Sequence, residues 1–376
     1  MGISYNQEEN QILYDYKLDR IGMIYLLNNG VEYNYPLYQS NVLENIKDSH
    51  YYNGVIQCLV NIKPLKHIFL NRSKLVDRAI IGKKKVGENK IDGKKLDKNK
   101  MHNNEKKITT NFYKLIQYMW HNNNYKKSND ENNGDQSNIF LTEIKSISND
   151  KELLKNIKLL IRFILLSMHC EQIIDKINNH KMTYDQKDLK KIFHENKDTF
   201  IGDLFFFELE KSKCCKNACS TNYMLVYEID DFCKKVTDQA INIDTILSQP
   251  NMKIMCDKCK NEIKSNIKFI SFPKILVIIL VSKKEKNIKF YCDKKIDIGK
   301  YSFRNKKNNN SNYNLISLIR KYEKGFTTFC KASGDNDIWY NYKEAEPIQK
   351  VENNKTFDNI KTTKDIPYLL IYQQCN

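Results

Sequence analysis

The sequence predicts an α+β protein, with helices first and strands afterwards. Two observations carry that reading. Before Asp203, apolar residues recur at three- and four-residue spacing. From Asp203 onward they fall into short runs with the period of strands. No alternation of strand and helix suggests a parallel βαβ layout, and no internal repeat is visible.

Residues 1–40 mix aromatic and charged residues with weak periodicity and read as an N-terminal arm, Ile21–Leu27 being a candidate strand. From Asp48 to Asn71 the spacing of Tyr52, Val55, Ile56, Leu59 and Val60 predicts a helix ended near Pro64. Lys83–Lys107 is rich in Lys, Asn and Gly, with few apolar residues, and predicts a disordered basic insertion. Phe112, Leu115, Ile116 and Met119 predict a short helix, which a polar run, His121–Asn138, follows. The longest predicted helix covers 151–178, and a second covers Asp185–Phe193.

The predicted strands are Leu204–Leu209, Tyr223–Ile229, Ile267–Phe272, Lys274–Val281 and Ile288–Tyr291. Tyr313–Arg320, Phe326–Lys331, Ile338–Tyr342 and Tyr368–Tyr372 complete the set.

Composition narrows the function classes. The chain is 41% hydrophobic and 28% charged, as a folded protein with polar insertions would be. The N-terminus lacks the basic and apolar regions of a signal peptide, and Asn6 stands where a myristoylation motif wants Ser or Thr. The apolar runs Ile157–Met168 and Ile275–Val281 fall short of the roughly 20 residues that span a bilayer. Eleven cysteines, an odd count, without a leader imply reduced thiols and a nuclear or cytoplasmic location. The net charge of +17 concentrates in Lys83–Lys107 and Arg304–Asn312. It fits a biased Lys/Asn/Ile/Tyr composition and leaves RNA contact through these basic stretches as an expectation. The 12 glycines form no phosphate-binding loop.

Two segments carry specific motifs. The first runs from Leu43 to Leu59, and its Leu43, Asn45, Tyr51, Asn53, Gln57 and Leu59 resemble, without a gap, the cysteine box of ubiquitin-specific proteases. Pro64-Leu65 and Phe69-Leu70 extend the match. In that box a cysteine opens a helix, where free N–H groups and the dipole favour the thiolate. His50 holds that position here, and an imidazole cannot form the acyl-thioester of the peptidase mechanism. Asn45 falls at the box's oxyanion-type position.

The second segment comprises Tyr313-Asn314-Leu315, Gly325-Phe326-Thr327, Trp339-Tyr340 and Pro367–Tyr372. It resembles the family's histidine box. Phe326 takes the place of the general-base histidine, and the orienting residue falls near Lys343 or Glu344. A phenyl ring cannot accept a proton, so the base is missing as well.

Cys214-Cys215 with Cys219, and Cys256 with Cys259, lie between the boxes. The resemblance implies a structural zinc ribbon in a finger subdomain, held by Cys215, Cys219, Cys256 and Cys259. Free thiols in a reducing compartment are the alternative. Lys274-Ile275-Leu276 after Pro273 matches the strand that follows the fingers, although Ser282-Lys283 replaces its usual closing Arg-Phe. Cys58, two helical turns beyond His50, reads as a core thiol, and Cys330 as an inert strand thiol. His67, His169, His180 and His194 show no ligand spacing.

The resemblance spans residues 41–376 and implies a thumb–fingers–palm fold with a papain-like core. Its divisions are a helical thumb over 41–210, fingers over 211–265 and a palm sheet over 266–376. Asn45-Ile46-Lys47 further resembles the spliceosomal, non-peptidase lineage of the family. The implied function is a non-catalytic scaffold in tri-snRNP assembly and pre-mRNA splicing, in the nucleus. The alternatives are a pseudo-deubiquitinase that still binds ubiquitin, and an active cysteine-type deubiquitinase with rearranged residues.

Overall fold

In a computed structural model, the described residues are 50–71, 107–120, 136–148, 152–173, 199–210, 221–230, 241–248, 252–255, 262–265, 268–281, 290–302, 311–322, 325–332, 338–343, 348–351 and 367–375. The arm of residues 1–40, most of the basic insertion and the predicted helix Asp185–Phe193 lie outside them.

The helices are α1 (His50–Val60), α2 (Lys63–Asn71), α3 (Lys107–Trp120), α4 (Gln136–Ile147), α5 (Ile157–Ile173), α6 (Phe200–Phe205) and α7 (Ile243–Ser248). Pro64 does not end a single helix, as the spacing suggested. It sits in the first turn of α2, where the missing N–H costs nothing. Helix α4 begins inside the run His121–Asn138, which had read as polar connection. It buries Phe140, Leu141 and Ile144.

The main sheet has eight strands. Its path runs β14 (Gln349–Val351), β13 (Trp339–Lys343), β12 (Gly325–Lys331), β11 (Asn312–Tyr322), β15 (Pro367–Gln374), β8 (Ile275–Val281) and β3 (Tyr227–Asp230), with β10 (Lys295–Asp297) paired to β11. Strands β3 and β8 are parallel, and the other pairings in this sheet are antiparallel. Strand β3 comes from the stretch expected as fingers, so that stretch contributes to the palm sheet.

Strand β8 is a continuous apolar run because both its faces are buried. Ile275, Val277 and Ile279 join the core beneath the helices, whereas Leu276, Ile278 and Leu280 join a second core on the opposite face. Strand β15 divides in the same way, with Leu369 and Ile371 on one side and Leu370 and Tyr372 on the other.

Smaller units complete the fold. A three-stranded sheet orders β2 (Thr221–Met224), β1 (Phe207–Glu210) and β7 (Lys268–Phe269). Strand β4 (Ile241–Asn242) pairs in parallel with β9 (Phe290–Tyr291), and β5 (Met252–Met255) forms an antiparallel hairpin with β6 (Glu262–Ser265). The expected strand Leu204–Leu209 is instead the end of α6 followed by β1. Thr199 caps α6, its Oγ1 accepting the Gly202 N–H at 2.9 Å, and the phenylalanine run changes structure at Phe206.

The last turn of α5 fixes two other helices. Glu171 accepts the N–H groups of Ile108 and Thr109 at 2.9 and 2.8 Å, closing the N-terminus of α3 with a carboxylate. Gln172 accepts the Phe200 N–H at 3.1 Å. His169, fully buried, places Nδ1 2.6 Å from Thr199 Oγ1.

Candidate functional site

Helix α1 begins at His50, to which the motif resemblance assigns the nucleophile's position, and runs over β11 and β12 of the main sheet. The close approach is made by Gly54: a Cβ there would lie 3.1 Å from both Ile319 Cδ1 and Thr328 Oγ1. Any side chain at position 54 would push the helix off the sheet or force those two neighbours aside. The residue type is therefore set by the distance between layers.

This approach brings the ends of the two motif segments together. Tyr51, next to His50, packs on Phe326 of β12 with ring centroids 4.4 Å apart and planes inclined at 43°. Tyr368 of β15 stands edge-on to Phe326 at 6.2 Å and lies 6.4 Å from Tyr51. All three rings are half-buried. Burial, and then the nearby Tyr51 hydroxyl, raise the Tyr368 phenol above its ordinary range. The three rings form one aromatic cluster, in which Phe326 alone carries no polar atom.

The neighbouring strand β13 ends at Lys343, which pairs with Thr327, one residue beyond Phe326. Asn45 and Glu344 lie outside the described residues, as do Cys214, Cys215, Cys219, Cys256 and Cys259. Chain order still constrains the cysteines. Residues 211–220 connect the antiparallel strands β1 and β2, and 256–261 connect β5 and β6. Each cysteine group thus belongs to the connection of a hairpin.

Further along α1 sits a polar cluster that the sequence did not reveal. Cys58 and Cys330 are both buried. The Cys330 Sγ is 3.6 Å from the Gln57 carbonyl oxygen and 3.6 Å from Ser317 Oγ. Asn61 Nδ2 donates to the Lys331 carbonyl at 3.1 Å and reaches Ser317 Oγ at 3.5 Å. Burial, together with the Cys330 thiol, raises Cys58 well above the usual thiol range. Cys330 approaches α1 at Gln57, about 10 Å along the helix axis from the start of α1.

On the helical side, Glu228 of β3 pairs with both Lys158 and Arg162 of α5, the Arg162 contact being 2.5 Å. No helix among the described residues is long and apolar enough to cross a membrane.

A helix whose first turn packs on inner strands of an antiparallel sheet, with a helical lobe on that face and small β-hairpins beside it, has the layout of the ubiquitin-specific-protease fold. A family profile described as ubiquitin carboxyl-terminal hydrolase matches residues 42–372, and the chain belongs to that family. No curated protein matches it.

Among solved structures, the chain is similar to the SAGA Ubp8/Sgf11/Sus1/Sgf73 DUB module, at 16% identity and a TM-score of 0.56, covering 89% of this chain and 67% of that one. It is also similar to the yeast SAGA DUB module carrying an Sgf73 mutant, at 14% identity and a TM-score of 0.56, covering 89% and 68%. A Ubp8 variant with Sgf11, Sus1 and Sgf73, bound to monoubiquitin, gives 14% identity and a TM-score of 0.54, covering 91% and 72%. At these identities the likeness is one of fold.

Proposed function

We propose that this chain is a non-catalytic member of its family that works by binding other proteins. The observation that carries this reading is the Tyr51–Phe326 contact at 4.4 Å: the motif resemblance assigns the general base to position 326, and a phenyl ring there cannot accept a proton. His50 at the nucleophile's position supplies no thiol. The decisive experiment incubates the purified chain with ubiquitin vinyl sulfone, which reacts only with a competent thiolate. No adduct is expected, and a stoichiometric adduct would establish the third reading, a rearranged cysteine hydrolase.

The assembly we infer is the spliceosomal tri-snRNP, in the nucleus. Asn45-Ile46-Lys47 supports this, resembling the non-peptidase splicing lineage. The basic stretches would supply RNA contact there. Affinity recovery from native extract should bring down splicing proteins, and Lys→Glu changes across Lys83–Lys85 and Lys94–Lys95 should weaken that recovery and flatten its salt dependence. Recovery unchanged by deleting the stretch would assign binding to the folded faces.

One observation favours a second reading, a ubiquitin-binding pseudo-deubiquitinase: a structure of similar fold is bound to monoubiquitin. The aromatic contact at Phe326 would narrow any path for the ubiquitin tail, so binding would rest on the folded body of ubiquitin. Titration with full-length ubiquitin and with ubiquitin lacking its C-terminal tail separates the cases. Equal affinity for both supports this reading, and no binding of either removes it.

A further inference from the structure

We propose that Cys58 and Cys330 form a dithiol–disulfide pair whose oxidation fastens helix α1 to strand β12. The argument is one of register. Tyr51 packs on Phe326, and Gly54 approaches Thr328. Cys58 lies one further turn along the same helical face, and Cys330 two residues further along the same strand face. The contacts on either side bracket the pair: Cys330 Sγ lies 3.6 Å from the carbonyl oxygen of Gln57, the residue before Cys58, and Asn61, one turn beyond, donates to the carbonyl of Lys331, the residue after Cys330, at 3.1 Å. Ser317 touches Cys330 at 3.6 Å and Asn61 at 3.5 Å, so the same polar cluster spans both elements.

Two thiols set on facing positions of packed elements have a high effective concentration for each other. The oxidant is a peroxide. It converts one thiol to a sulfenic acid and releases an alcohol, or water in the case of hydrogen peroxide. The second sulfur then attacks the sulfenic sulfur, the S–S bond forms, the S–O bond breaks, and a water leaves with the second thiol's proton. Two thiols are oxidised and one peroxide is reduced. Burial slows both this reaction and its reversal, so the bridge acts as a slow latch, closed under sustained peroxide and reopened by dithiothreitol. When closed, it holds the helix that begins at His50 against the strand that carries Phe326.

The test treats the folded full chain with hydrogen peroxide, blocks remaining thiols under denaturing conditions, and maps the peptides by mass spectrometry. A peptide cross-linked through Cys58 and Cys330, lost on reduction, is expected. Hydrogen exchange within residues 50–60 should slow in the oxidised chain and recover with dithiothreitol. The C58S variant should show neither effect. Both cysteines recovered as alkylated thiols, as sulfonic acids, or paired with other cysteines would overturn the proposal. A cross-link that left exchange in α1 unchanged would overturn the latch.

Discussion

Tyr51 and Phe326 pack ring against ring, 4.4 Å between centroids, at the point where the first turn of α1 meets β12. The contact joins a residue next to His50 to one in the segment that resembles the family's histidine box, far apart in the sequence. The junction is held by aromatic contact worth about 0.5–1.5 kcal/mol beyond simple burial.

Wild-type chain should therefore show no hydrolysis of ubiquitin-rhodamine above the buffer rate. His50→Cys alone should not change this, since Phe326 cannot accept the thiol proton. The pair His50→Cys with Phe326→His tests the geometry itself, and any thiol-dependent turnover should arise only in that double variant. Cysteine-dependent turnover in the wild type would remove the pseudoenzyme reading.

The close approach at Gly54 predicts a steric effect. Gly54→Val should destabilise the fold by about 1–3 kcal/mol, because its methyl groups enter space already held by Ile319 and Thr328. Gly54→Ala should cost less, since the gain in helix propensity of about 1 kcal/mol offsets part of the crowding. Chemical denaturation of the two variants checks the order, and a Val variant as stable as wild type would show that the layers have slack.

What the sequence made legible follows from how local each signal is. Strands β8 and β15 are dense apolar runs that both cores require, so their position was readable from composition alone. The approach of α1's first turn to Phe326 was readable only through motif resemblance, because no periodicity links residues so distant. The run Leu204–Leu209 misled because three consecutive phenylalanines satisfy a helix end and a strand start equally well, and the Thr199 cap decides between them. Helix α4 was hidden because its first turn, Gln136 to Ile139, has the composition of a loop. The approach of Cys330 to α1 at Gln57 and the Glu171 cap of α3 are tertiary, and no sequence pattern announces either.

Zinc gives a prediction that does not depend on catalysis. If Cys215, Cys219, Cys256 and Cys259 are ligands, as the resemblance implies, their place in two hairpin connections suits a ribbon closed by one ion. Elemental analysis of chain purified without chelator should give about one zinc per molecule. Cys256→Ser should lower that content and leave the main sheet folded. Zinc-free wild-type protein would return these cysteines to free thiols.

His169 predicts how the fold responds to acid. It is fully buried in the last turns of α5, its Nδ1 engaged by Thr199 and its Nε2 without a hydrogen-bond partner among the described residues, with the Phe206 ring edge-on at 5.0 Å. Burial lowers its pKa from 6.5 to about 4, because the imidazolium would lose its hydration. In the folded state the ring stays neutral down to about pH 4, whereas the unfolded chain takes up this proton from about pH 6.5. The unfolded state therefore binds more protons in that window, and stability falls as pH falls through it. The loss from this one group is up to about 3 kcal/mol once pH is below both values. Carboxylates titrate over part of the same range, so the measurement is the difference between wild type and His169→Gln. The glutamine retains a polar partner for Thr199 and carries no titrating proton. The stability gap between the two chains should move in favour of the variant as pH drops from 6.5 to 4, and a gap that stays constant would show that His169 is protonated in the folded protein.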